Sequence, residues 1–233
     1  MTNGQRSGGG EQDQAGHRAG PESRISPLET VVDQLYEVRR QQGRNAEIYD
    51  LVATVARDNI ARPVFRCALA RLALELGRLS EARQLYEELA SNDFAVVPRD
   101  NEWLLAANYL VDVCRGVGDT VRAAVLYDLL SPSAGKIATD LAEGCAGSVE
   151  RLLGVLAALL GRAEDAIRHL RSAVATNMTI GSPPWLAYAQ LELTEVLLVR
   201  GEREEALELA VEALALADAL GMAPLLERAT LLV

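Results

Sequence analysis

The chain has 233 residues, 49% of them hydrophobic and only 4% aromatic, with a formal net charge of −10. That is apolar material for one or two domains filled by Leu, Ala and Val, and strong helix formers with few β-branched runs point to an all-α protein. An acidic balance without a basic stripe argues against direct nucleic-acid binding. Cys67, Cys114 and Cys145 form no CxxC pair, and the histidines are His17 and His169 alone, so neither a metal site, a disulfide framework nor a cofactor is implied. The longest apolar stretch, residues 152–160, is too short to span a bilayer.

Residues 1–25 are mostly Gly, Gln, Ser, Arg and Glu. They bury too little to offset the entropy of ordering, which predicts a disordered tail ahead of one folded domain over 26–233. Without an apolar leader in the first 20 residues, the expected compartment is the cytoplasm, with the cysteines as small core residues. At Ser26-Pro27 a capping hydroxyl, a proline at the first helical position and Glu29 in the first turn predict a helix start. Leu28, Val31, Val32, Leu35, Tyr36 and Val38 then fall on a helical stripe. Gly43 ends that helix, and a second is expected over 47–57.

Beyond this point the chain repeats. Gly77, Gly118, Gly161 and Gly201 each have a leucine eight residues before (Leu69, Leu110, Leu153, Leu193) and an alanine five residues after (Ala82, Ala123, Ala166, Ala206). Nine residues after each stands Tyr86, Tyr127, Leu170 or Ala210. The glycine supplies the left-handed residue that ends helix A of a pair, and the alanine lets helix B cross closely. Each pair leaves a face uncovered, so pairs must stack. The glycines are 41, 43 and 40 residues apart, against about 34 in a standard TPR repeat. The surplus is expected in looped connections such as 91–101 and 131–147, marked by Pro132, Gly135, Gly144 and Gly147, with Pro183 and Pro184 marking another. Residues 223–232 form a short last helix. The predicted fold is an all-α, TPR-like α-α superhelix of about four to five helix pairs with a terminal capping helix.

Three blocks carry a resemblance to a known group. They are Asp93-Phe94-Ala95 with Pro98-Arg99-Asp100 and Trp103-Leu104; Gly147-Ser148-Val149 with Arg151, Leu153-Gly154 and Leu160-Gly161-Arg162; and Pro184-Trp185-Leu186-Ala187 with Leu197-Leu198 and Arg200-Gly201. Over roughly 45–233 the chain resembles the C-terminal TPR region of bacterial LuxR-type regulators and cyclase-linked AAA (STAND) ATPases. Their GxxxxGK[ST] phosphate loop, cyclase domain and helix-turn-helix are not in this sequence. The resemblance therefore implies a non-catalytic signalling arm whose partner is an ATPase, cyclase or transcription regulator on another chain, or which senses a small-molecule inducer.

In a TPR register helix A lines the concave surface. Counting back from the glycines places Cys67, Arg71 and Glu75 there, then Asn108, Asp112 and Arg115, Ser148 and Arg151, and Tyr188, Leu191 and Glu195. Both charge signs mixed with apolar patches suit a peptide or helix better than a phosphate backbone. Arg151, within an apolar helix, has two readings, a structural ion pair with an acid such as Asp112 or a groove contact. Arg99, Asp100 and Trp103 read either as a ligand clamp, a guanidinium fork beside an aromatic platform, or as a structural lock with Asp100 capping a helix that starts near Asn101; capping is the commoner use. Trp185 reads first as packing between repeats, and the acids from Glu202 to Glu212 as a solvated face. Ser148 lacks a GxSxG context, and with His169 as the one folded histidine no catalytic triad assembles.

Overall fold

Glycine-ended helices pair from residue 27 onward, as the spacing predicts. The computed structural model describes residues 27–140 and 144–233, together with Met1; the expected tail at 1–25 and the Ser26 cap lie outside the described residues. Five pairs follow one another: α1 (Pro27–Gln41) with α2 (Asn45–Asp58), α3 (Val64–Glu75) with α4 (Leu79–Leu89), α6 (Trp103–Val117) with α7 (Thr120–Leu130), α8 (Val149–Leu159) with α9 (Ala163–Thr179), and α10 (Pro183–Arg200) with α11 (Arg203–Ala219). A single turn, α5 (Ser91–Phe94), follows α4, and α12 (Ala223–Thr230) ends the stack. The fold is all-α and TPR-like, with five pairs and the capping helix among the described residues.

The seams are built as the repeat requires. At the end of α3, Gly77 takes φ 74°, Arg78 N donates to Ala73 O at 2.8 Å and Gly77 N to Leu74 O at 3.0 Å. This left-handed cap satisfies carbonyls that the helix end would leave unpaired. The same bonds recur from Arg162 N to Ala157 O and from Glu202 N to Leu197 O. Ala82, Ala123, Ala166 and Ala206 are all wholly buried. Where α8 crosses α9 the approach is closer still, because a β-carbon at Gly154 would stand 2.5 Å from Leu170 Cγ.

The connections differ from the expected loops. In 91–101, Asn92, Asp93 and Phe94 all take left-handed φ values of 49–61°. Asn and Asp tolerate this region and Phe does not; the fully buried Phe94 ring, 5.9 Å from Tyr86, offsets the strain. In 131–148 the chain forms a 3-10 turn and an antiparallel hairpin, β1 (Ile137–Asp140) with β2 (Gly144–Ser148), pairing Thr139 with Cys145 and Asp140 with Gly144. Tertiary contacts fix the hairpin. Trp185 Nε1 donates to Cys145 O at 2.7 Å, and Asn177 accepts from Ser148 N at 3.1 Å while donating to Trp185 O at 3.0 Å. In the last repeat the surplus length goes into helix. Pro183 and Pro184 lie in the first turn of α10, where a missing N–H costs nothing, and not in a loop.

The stack curls until its ends meet. A β-carbon at Gly43, in the α1–α2 turn, would lie 3.4 Å from Pro224 at the start of α12. Arg40 of α1 reaches Tyr188 of α10, 148 residues away. Among the described residues no helix is long and apolar enough to cross a membrane.

Candidate functional site

This curvature turns the first helices of the pairs toward one axis and gathers their polar residues there. Arg71 on α3 is 1% exposed and pairs with Asp112 on α6. Asp112 also accepts from Arg151 on α8 at 3.0 Å. Arg151, equally buried, donates to Asn108 at 3.0 Å and to Glu192 on α10 at 2.7 Å. Arg40 bonds Glu37, donates to Glu75 at 3.1 Å and to the Tyr188 hydroxyl at 3.0 Å, and lies 5.3 Å over the Tyr188 ring. At the rim, Arg115 stands 3.3 Å from Glu192 and 3.9 Å from Glu195, and Glu195 takes two hydrogen bonds from Arg228 of α12.

Burial and pairing oppose each other at the most deeply buried charges. Desolvation works against the Glu37 carboxylate, yet Arg40 beside it holds its pKa down to about 2. Desolvation likewise raises the pKa of Asp112, and Arg71 and Arg151 together pull it well below the usual carboxylate range. The guanidiniums of Arg71 and Arg151 stay charged despite burial because the acids around them push their pKa values up. Removing a single member of such a network leaves its partners uncompensated.

Arg71, Glu75, Asn108, Asp112, Arg115, Arg151, Tyr188 and Glu195 come together on the axial side, but most face one another rather than an open groove. For Arg151 the geometry gives the ion pair with Asp112. Three inner-face expectations are corrected. Ser148 is buried and caps α8, its Oγ accepting from Glu150 N at 3.3 Å. Cys67 and Leu191 are wholly buried in the core, and burial pushes the Cys67 thiol up to about 12. Glu37, Arg40, Glu192 and Arg228 were not read from the sequence. The first two carried a signal: they stand six and three residues before Gly43, as Arg71 stands six before Gly77 and Arg115 three before Gly118.

The Arg99, Asp100 and Trp103 cluster lies outside this network. Arg99 stacks 3.6 Å from the Trp103 ring and donates to Val97 O at 2.8 Å, while Asp100 accepts from Glu102 N at 3.0 Å. These contacts fit the reading of the cluster as a structural lock, although α6 begins at Trp103 itself rather than near Asn101. His169 is held between Glu150, 2.5 Å from Nδ1, and the Tyr127 hydroxyl, 2.9 Å from Nε2, tying α7, α8 and α9 together. Among the described residues no group of three His, Cys, Asp or Glu side chains is placed to hold a metal ion.

Two concavities open on the axial side. A cavity of about 540 Å³ is bounded by α1, α3, α6, α8, α10 and α12, with Arg40, Arg71, Arg115, Arg151 and Arg228 in its wall. Beside it, a groove of about 300 Å³ runs between the ends of α8 and α10 over Val155, Ala158, Leu170 and Val196. The two share Arg115. Both volumes fall in the range of small-ligand sites.

The family model for the tetratricopeptide repeat matches residues 63–88, 148–172 and 187–212. These segments correspond to the α3–α4, α8–α9 and α10–α11 pairs. No curated protein matches the chain. The chain is thus a TPR-like helical-repeat protein, and tetratricopeptide repeats generally mediate contacts between proteins.

Proposed function

We propose that this chain is a non-catalytic interaction and regulatory module of bacterial signalling, working in the cytoplasm on an ATPase, cyclase or transcription regulator carried on another chain. It binds an extended peptide segment of that partner at the mouth of the axial cavity and along the adjoining groove. What supports this reading is the adjacency of the two concavities, which share Arg115: a charged mouth that would fix register lies beside an apolar groove for side chains. Arg71, Asp112 and Arg151 already fill the axis, which favours an extended segment at its mouth over a whole helix about 10–12 Å across. The earlier resemblance to signalling ATPase regulators supports the partner class.

Arg115 and Arg228 are the residues to change, since both are partly exposed and sit at the mouth. Alanine at Arg71 or Arg151 would strip the buried network instead. Full-length wild type and the Arg115→Gln/Arg228→Gln double variant are immobilised and exposed to lysate of the source cell, with captured proteins identified by mass spectrometry. The expected result is a specific regulator held by the wild type and lost from the variant. Identical capture by both sinks the assignment to the axial mouth.

A second reading is a small-molecule sensor arm. Favouring it are the cavity's size and two nitrogens of the buried Arg71 side chain in its wall that have no hydrogen-bond partner among the described residues.

A further inference from the structure

We infer that the axial cavity and the groove beside it form one site for a small amphiphilic carboxylate, its head in the cavity and its alkyl chain in the groove. This rests on the small-ligand reading and adds the chemical class of the ligand. The first observation is an excess of donors. Arg71 Nε and Nη1, Arg151 Nε and Asn108 Nδ2 are buried without a hydrogen-bond partner among the described residues, against two unmet acceptors in the same cluster, Glu192 Oε2 and Asn45 Oδ1. Arg71 Nε has Glu75 at 3.5 Å, within ion-pair range but too far to serve as its hydrogen-bond acceptor under good geometry. Five arginines and three acids line the cavity, and Glu37, Glu192 and Glu195 behind the wall pair with four of those arginines, so the excess is one of hydrogen-bond donors and not of charge. Buried donors without acceptors are costly, and a carboxylate reaching the arginines among them after a small side-chain shift would supply charge-assisted bonds.

The second observation is independent of charge. The neighbouring groove is walled by Val155, Ala158, Leu159, Leu170, Val196 and Val199, and its polar groups are confined to the end it shares with the cavity. At that end Glu195 bridges Arg115 and Arg228 in a partly exposed ion-pair strap. An incoming carboxylate can take one of these arginines from Glu195 while the chain behind it displaces water from the groove. A ligand charged at one end and apolar along the rest matches the site at both ends; a wholly polar or wholly apolar one matches only half.

The test is calorimetric titration of the full chain with butanoate, hexanoate and octanoate, and with octan-1-ol as the headless control. Burial of each added methylene raises affinity about fourfold until the groove is full, and octanol binds at least tenfold more weakly than octanoate. Ala158→Phe fills the groove, so octanoate falls to the affinity of butanoate while butanoate is unchanged; a thermal melt confirms that the variant is folded. Arg115→Gln weakens all three acids. Equal binding of octanoate and octanol, affinity independent of chain length, or no heat with any probe (a cavity holding water only) overturns the inference. Partner capture through the Arg115/Arg228 mouth is read separately, so either reading can fail without the other.

Discussion

The helix seams and the axial face are both buried, and they are built from opposite materials. At the seams Ala82, Ala123, Ala166 and Ala206 and their leucine neighbours exclude water without a polar atom. On the axis, Arg71, Arg151 and Asn108 are as deeply buried and rely on one another and on Asp112, Glu75 and Glu192. Seam contacts are many, small and replaceable. Axial contacts are few, large and conditional on every partner being present. Stability is therefore expected to degrade gradually at the seams and abruptly on the axis.

The largest expected effect lies at Asp112, the one acid shared by Arg71 and Arg151. Asp112→Asn leaves two buried guanidiniums short of a counter-charge and should cost about 3–5 kcal/mol in a urea melt. Adding Arg71→Met to that variant removes one of the stranded charges and should restore part of the loss; strictly additive destabilisation would mean that the two residues do not act as a unit.

Acid should act on the same face and spare the seams. The Glu37 pKa is lowered from 4.5 to about 2 in the folded chain. Its stabilising contribution is therefore complete above about pH 4.5 and is lost as pH falls through 2, on the order of 3 kcal/mol in all. Stability measured between pH 5 and pH 2 should decline in the wild type and decline less in Glu37→Gln. Parallel profiles would show that Glu37 gains nothing from Arg40.

The contrast also explains what was legible in the sequence. The seams were readable because each is closed within one helix pair: Leu110, Gly118 and Ala123 fall within 14 residues of one another, and the pattern returns with the next pair. Axial residues could be placed on a face by the same counting, but their partners could not be named. Arg40 meets Glu75 across 35 residues and Tyr188 across 148, distances that depend on how far the whole stack curls. The hairpin was illegible for a related reason. Gly144, Cys145, Ala146 and Gly147 have no strand pattern of their own; Asn177 and Trp185 impose their pairing from the next helices. Gly147 lies at the contact point, with φ 84° and the Trp185 ring 2.9 Å from where a β-carbon would stand. Gly147→Ala should cost about 1–3 kcal/mol and loosen the hairpin locally, seen as a red shift of Trp185 emission in a Trp103→Phe background.

The smallest effect marks where charge pairing stops mattering. Arg171 on α9 and Glu205 on α11 form a two-pronged pair, Nη2 to Oε2 at 2.7 Å and Nε to Oε1 at 3.2 Å, with a shortest contact equal to that of Arg151 and Glu192. The difference is solvent: the two side chains are 51% and 41% exposed, so water screens the attraction and rehydrates whichever partner remains. Glu205→Ala should therefore change stability by less than about 1 kcal/mol, and less again at high salt. Set beside Asp112→Asn, it separates geometry from burial as the source of the axial network's weight. If the two variants lost similar stability, pairing geometry alone would account for both, and the steep dependence expected of the axial face would have no physical basis.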